Sequence, residues 1–414
     1  MLFCALVMSA QWQMDEGAAA ALRQDLTRAG NNTNSYEFNT LVDSKAPAGF
    51  KPVYVAHYGR HGSRSNWGDA SYKRVINALT KAKEEGILKP VGDDVIAEAS
   101  AVLANYNGMD GRLTQRGVRE HAKIADRLYD RVPAVFKGKK TVRTVSSTTP
   151  RCIISMCGFT NELARRNPKL TILPDTGEKI MAYITDPGTG IKNEAEITAK
   201  LNAEFDSRAE DTLAILNTLF TDPEKGHAIV GNVVKFHDDL YSVAQIAEDF
   251  DLEEIIYPLM PFESVYKRWS YWNKYLYYHN GNSAEFGTKR VPCSESLVND
   301  FITKADDALS RDDIAADLRF GHDYPVFSFA SYIGLEGVGE RLAWDDVDAF
   351  WWGWRDLCMA SNVQFIFYRN KAGETIVKFI YNGVERKLRG LEPDYAPCFY
   401  KWETFKANSK GYLR

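Results

Sequence analysis

No run of apolar residues approaches the roughly 18 needed to cross a bilayer, so the sequence offers no membrane span. Cysteine is scarce. Six in 414 residues, with no CxxC, HExxH or Cys/His cluster, do not read as a disulfide scaffold and give no reason to expect a metal. No cofactor is expected either. Neither sign of charge dominates: 51 basic against 55 acidic residues leave a net charge of −4. That balance argues against a general binder of nucleic acid or anionic membranes, and leaves a local basic cleft open. Internal repeats and low-complexity segments are also missing, so no solenoid or linker array is expected.

What is present is an ordinary globular composition, 45% hydrophobic and 26% charged, with aromatics abundant enough for a sizeable core. The length allows two or three domains. Met1–Ala10 is apolar and ends on small residues, like part of a secretory signal, although no Lys or Arg precedes it. The expectation is that residues 1–10 are the remnant of a signal peptide and that the protein is periplasmic or secreted. Loss of Cys4 would leave five cysteines, hence at most two bridges. Cys152 and Cys157 lie five apart on a predicted helix, a poor disulfide geometry.

Along the chain, the apolar run Pro52-Val-Tyr-Val-Ala56 predicts a strand over 53–57, and helical spacing follows near 70–85. Leu113-Thr114 opens a helix running to about Tyr129, while Thr141–Val145 alternates like a strand. Thr149 and Pro150 suit the N-cap and first position of a helix whose apolar residues are spaced for burial. Ala316–Phe320 again reads as a strand, and 363–368 with 375–381 as a hairpin. This alternation predicts an α/β fold, a mostly parallel sheet flanked by helices. Long helical patterns over 176–300 predict an inserted, smaller helical cap domain between the core segments 40–175 and 301–414. Within it, Phe262, Tyr266, Trp269, Trp272 and Leu276 read as a core stripe.

Arg60-His61-Gly62-Ser63-Arg64, just beyond the 53–57 strand, carries the chemistry. Two permanent cations beside a histidine disfavour its protonated form, so the ring stays neutral and nucleophilic at mildly acid pH. Both guanidinium forks match a phosphate in shape and charge. A neutral histidine held against a phosphate can accept a phosphoryl group. Arg151, in the first turn of the helix opened by Pro150, is electrostatically misplaced unless an anion binds there; the bland reading is a solvated arginine. His322-Asp323 follows the 316–320 strand, where a histidine can donate to phosphate and a carboxylic acid can protonate a leaving alkoxide. The bland reading of Asp323 is a helix cap. In an open α/β sheet, all three strands would deliver these residues to one edge. His57, Glu120 and His121 read as structural, while Lys51 and Lys73 are candidates for contacts to a polyphosphate.

Together, Arg60-His61-Gly62-Ser63-Arg64, Ser147-Thr-Thr-Pro-Arg151 and His322-Asp323 resemble the histidine acid phosphatases, the two-domain branch of the histidine phosphatase superfamily. The resemblance covers residues 50 to 400, and Leu113-Thr-x-x-Gly117-x-x-Glu120-His121 is particularly similar to the multiple inositol polyphosphate phosphatases and phytases. It implies that His61 is the nucleophile, that Arg60, Arg64, Arg151 and His322 hold the phosphate, and that Asp323 is the proton donor. The implied activity is metal-independent hydrolysis of phosphomonoesters through a phosphohistidine, on inositol polyphosphates such as phytate. Alternatives are a general acid phosphatase on sugar or nucleotide phosphates, a mutase-like phosphoryl transferase with the same nucleophile, and an inactive polyanion-binding protein. Two departures stand out. Ser65-Asn66-Trp67 follows Arg64 where the family often has proline, which puts the rigidity of that loop in question. His322-Asp323-Tyr324 stands where the inositol polyphosphate subgroup commonly has His-Ala-Glu, closer to the ordinary acid phosphatase pattern.

Overall fold

The computed structural model describes residues 14–185, 194–207, 213–287 and 289–414. The segment 1–10, read as a signal remnant, lies outside them. Eight strands form one sheet: β1 (Lys51–Arg60), β2 (Thr141–Ser146), β3 (Thr171–Thr176), β4 (Ile314–Gly321), β5 (Asn362–Arg369), β6 (Thr375–Tyr381), β7 (Val384–Arg386) and β8 (Phe399–Lys401). Their order is β3-β2-β4-β1-β5-β6-β7, with β8 also beside β6. β3, β2, β4 and β1 run parallel, and the antiparallel β5–β8 extend the sheet from β1. The fold is the expected α/β class.

The two-residue period of β1 divides its side chains between two cores. Tyr54, Ala56 and Tyr58 pack with the helices Glu295–Leu309 and Asp323–Ile333. Val55 faces the opposite layer, built on the helices Gln115–Arg131 and Pro150–Arg166. His57 shares that face and packs against Phe159 and Phe320, as a buried structural histidine. β3 was not expected from the sequence. It is an exposed edge strand carrying Pro174, a composition that reads as loop.

A third, all-helical core joins Glu16–Gln24, Ala70–Glu84, Pro90–Tyr106, Val233–Ala247 and the first half of Phe262–Asn280. Its packing does not follow the expected 176–300 boundary. Residues 72–106 join the helical core, whereas Ile180, Ile184 and Leu276–Tyr278 pack on the sheet. An amphipathic helix announces that it has an apolar face, not which partner that face will meet. Within Phe262–Asn280, Tyr266, Trp269 and Leu276 are buried, but Trp272 is exposed. Asn273, four residues after Trp269, takes the inward position and bonds Asp348 and the Trp351 carbonyl. Among the described residues, no helix is long and apolar enough to cross a membrane.

Candidate active site

The C-terminal ends of β1, β4 and β2 lie side by side, because Arg60 pairs with Gly321 and Ser146 with Phe320. Each strand hands its next residues to the same edge. The backbone N–H of His61 donates to the Gly321 carbonyl at 2.9 Å, and that of Ser147 to Phe320 at 2.9 Å. Arg60, His61, Arg64, Arg151, His322 and Asp323 thereby converge, although they span more than 260 positions of sequence. The helices Pro150–Arg166 and Asp323–Ile333 begin here too, turning the positive ends of their dipoles to the site.

His61 is buried, and its Nδ1 lies 2.9 Å from the Gly62 carbonyl. A carbonyl only accepts, so Nδ1 carries the proton and Nε2 keeps its lone pair. Burial pushes the imidazole well below the usual histidine range, and Arg60, Arg151 and Arg64 push it further. Arg60 is fully buried; its Nη1 donates to the carbonyls of Asn32 at 2.5 Å and Leu357 at 2.8 Å. Its Nη2 lies 3.2 Å from Asp323 Oδ2. The Nε groups of Arg60, Arg64 and Arg151 are buried without a hydrogen-bond partner among the described residues. Uncompensated donors of this kind are costly, and an anion would satisfy them.

Arg151 Nη2 approaches His322 Nδ1 at 3.4 Å, and His322 Nε2 lies 3.1 Å from Ser147 Oγ. Guanidinium nitrogens only donate, so Nδ1 accepts and Nε2 carries the proton. Burial, then Arg151, push His322 down to about 4, with Asp323 opposing. For Asp323, burial alone would raise the carboxyl. Arg60, His322 and Arg64 outweigh it and hold the group below the ordinary range. The cap reading of Asp323 does not hold: His322 occupies the N-cap position without a side-chain capping bond, and Asp323 is the first helical residue, its Oδ1 accepting from the adjacent Tyr324 N–H at 3.0 Å while Oδ2 faces Arg60. Thr149 stands at the expected N-cap position, but its side chain makes no capping bond.

The loop carrying the motif is held from behind. Glu120 accepts from the Ser63 N–H at 2.7 Å, from Ser63 Oγ at 2.8 Å and from the Tyr36 N–H at 3.1 Å. A Cβ on Gly62 would stand 2.5 Å from the Gly117 carbonyl oxygen, so glycine at 62 lets the helix Gln115–Arg131 approach the loop. Glu120, read as structural, therefore fixes the site's geometry directly. The lack of proline after Arg64 leaves no slack. Ser65 N–H donates to the Arg112 carbonyl at 2.8 Å, Ser65 Oγ to the Met109 carbonyl at 2.6 Å, and Gly111 N–H to the Asn66 carbonyl at 2.9 Å.

Sequence reasoning missed Asn32. Its Nδ2 donates to Asp323 Oδ2 at 3.1 Å while its carbonyl accepts from Arg60. The only signal was the polar run Asn31-Asn32-Thr33-Asn34, which reads as a loop. It also missed Trp67, whose ring lies against Arg64 and Arg151, and Asp249, buried behind Ser35 and held by burial well above the usual carboxylate range. Neither candidate lysine belongs to the site. Lys51 opens β1 at its remote end, and Lys73 pairs with Asp69 at 2.8 Å.

No family model and no curated protein matches the sequence. Solved structures do match the fold. The multiple inositol polyphosphate phosphatase of Bifidobacterium longum, in its apo form, superposes with a TM-score of 0.73 at 18% identity, covering 92% of this chain and 97% of that one. The phytase of D. castellii gives 0.68 at 13% identity, covering 97% and 90%. The phytase of Hafnia alvei gives 0.53 at 12% identity, covering 88% and 97%. The likeness at these identities is one of fold: over most of its length this chain has the fold of the histidine acid phosphatases, which its motifs resemble.

Proposed function

We propose that this protein is a histidine acid phosphatase that hydrolyses phosphomonoesters through a phosphohistidine on His61, with inositol polyphosphates such as phytate as its substrates. The observation that carries the reading is a buried histidine, its Nδ1 held against the Gly62 carbonyl, among three arginines whose buried Nε donors have no hydrogen-bond partner among the described residues. In the first step His61 Nε2 attacks phosphorus, the ester P–O bond breaks, and Asp323 gives its proton to the leaving oxygen. Water then attacks phosphorus, the P–N bond breaks, and the Asp323 carboxylate takes the water's proton. Arg60, Arg64 and Arg151 hold the equatorial oxygens, His322 joins them when a phosphate oxygen replaces Ser147 Oγ as the partner of its Nε2–H, and the arginines neutralise the charge that metal ions meet in many other phosphoryl-transfer enzymes. Asp323 is ionised in the free protein at mildly acid pH, since Arg60 and His322 favour its anion. The negative charge of a bound phosphate offsets that field and restores its proton.

The substrate class is supported by the shared fold with Bifidobacterium longum multiple inositol polyphosphate phosphatase, also solved in complex with inositol hexasulfate and with phosphate. One observation favours a broader acid phosphatase instead: the acid follows His322 directly, where the inositol polyphosphate subgroup commonly places it one residue later. The deciding experiment is release of inorganic phosphate from phytate and from a small sugar phosphate near pH 5, in excess EDTA, with His61→Ala as control. Repeated release from phytate is the expected result. Release from the small ester alone would replace the substrate assignment, and release from neither would overturn the enzymatic reading.

A further inference from the structure

Arg64 and Arg151 reach the site from different elements, one on the loop after β1 and the other on the first turn of Pro150–Arg166. Among the described residues neither forms an ion pair with a carboxylate within 4 Å. Arg64 Nη1 donates to the Ser65 carbonyl at 2.8 Å, and Arg151 makes only the 3.4 Å contact to His322. Two guanidinium groups so placed repel each other; burial lowers the proton affinity of both, with Arg60 and then Arg151 adding to it at Arg64, and Arg60 adding to it at Arg151. Asp323 attracts both at longer range without pairing directly with either, which leaves room for a closer contact.

Trp67 meets both. The Arg64 Cζ lies 5.1 Å and the Arg151 Cζ 4.9 Å from the centroid of its ring, within the range at which the ring quadrupole attracts a cation. The ring is itself fixed. Its backbone neighbour Asn66 is bonded to Gly111, and a Cβ on Gly111 would come 2.7 Å from Trp67 Cζ3. Yet Trp67 is 58% exposed, too little buried for core packing to explain a large aromatic there.

We propose that Trp67 is a positioning residue that holds Arg64 and Arg151 together as one preformed phosphate clamp before substrate arrives. This rests on the reading that these arginines bind phosphate, and it gives the Ser65-Asn66-Trp67 sequence a purpose. Without the ring, two flexible cations must be ordered against their mutual repulsion at the moment of binding, which weakens affinity.

The test is direct binding of inorganic phosphate at pH 5, by titration calorimetry, to the unaltered protein and to Trp67→Leu, Trp67→Phe and Gly111→Asn. Two cation–π contacts at a half-exposed site correspond to about 5- to 30-fold in affinity. Trp67→Leu should lose that factor, and KM for p-nitrophenyl phosphate should rise by more than kcat falls. Trp67→Phe keeps a π face and should stay within about threefold of the unaltered protein. Gly111→Asn tolerates the positive φ of +58° but displaces the ring, and should weaken phosphate as Trp67→Leu does. Unchanged affinity in Trp67→Leu, or equal losses in Trp67→Phe and Trp67→Leu, would overturn the proposal. Phosphate binding without ester hydrolysis by the unaltered protein would sink the catalytic reading and leave the clamp standing. No phosphate binding at all would overturn both.

Discussion

Replacing Asp323 by Asn separates the proposed proton donation from the other contacts of this carboxyl. The carboxyl stands 3.2 Å from Arg60 Nη2, at the start of the helix Asp323–Ile333. Asn preserves the shape and can still accept from the Tyr324 N–H, so the fold is retained. What is lost is a transferable proton. Proton transfer in the transition state typically contributes about 10²–10⁴ in rate, or about 3–5 kcal/mol of barrier. An alkyl phosphate, whose alkoxide leaves badly, bears that loss in full. p-Nitrophenyl phosphate, whose leaving group hardly needs protonation, should lose less than about tenfold in kcat/KM, which reports the first step. The substitution also removes a negative charge. At about 5 Å and an effective dielectric of about 20, its repulsion of a bound phosphate is at most about 3 kcal/mol, so inorganic phosphate should inhibit the variant more strongly. The second step loses its base, so p-nitrophenolate should appear in a burst of about one equivalent while phosphohistidine accumulates. The assay is kcat/KM for a sugar phosphate and for p-nitrophenyl phosphate, with rapid-quench capture of the phosphoenzyme. Equal losses on both substrates would refute the assignment of Asp323 as the acid.

Asn32→Ala removes the 3.1 Å donor to Asp323 Oδ2 and leaves the carbonyl that holds Arg60. The donor favours the carboxylate, so its loss raises the Asp323 pKa, and the basic limb of kcat/KM for a sugar phosphate should move to higher pH. A pH profile that does not move would remove Asn32 from that role. Acid stability offers a separate test. Burial pushes His121 down to about 3, far below the value of about 6.5 in the unfolded chain. The neutral ring's contribution is complete above about pH 6.5 and is lost as pH falls toward 3, about 2 kcal/mol of it by pH 5. Glu98, raised to about 8 by burial and Glu254, acts in the opposite sense, so the readout is a difference between proteins. In urea unfolding, His121→Phe should lose about 2 kcal/mol less than the unaltered protein between pH 7 and pH 5. Parallel losses would show that His121 gains its proton in the folded state.

How much of this was legible follows from how the information is distributed along the chain. The atoms proposed to touch phosphate sit in three short motifs, each at the end of a strand that is legible as an apolar run (β1, β4) or as alternation (β2), so pattern and chemistry reinforce each other. Their positioning residues do not. Asn32, Trp67, Glu120 and Asp249 are single side chains, each with a common bland role, and only the folded backbone brings them against the motifs. The membership of the helical layer escaped for the same reason, since the apolar faces of 72–106 are plain in sequence while their partners 160 residues on are not.

Asp323 carries the lesson furthest, because the sequence offered it as a helix cap and the structure gives the N-cap position to His322, leaving Asp323 as the first helical residue. A carboxylate has two oxygens and about four lone-pair sites. Oδ1 serves the first turn of its own helix, while Oδ2 meets Asn32 and Arg60. The bond from the Tyr324 N–H is what gives the second oxygen a direction. By fixing the carboxyl against the backbone it aims Oδ2 across the strand ends, at the edge where His61 stands. A Glu one position later has one more methylene, hence more reach and more rotamer freedom. The short carboxyl at 323 therefore gives up reach and gains a fixed direction, which, for the proton donor proposed here, favours a narrow range of leaving-group positions over a broad one.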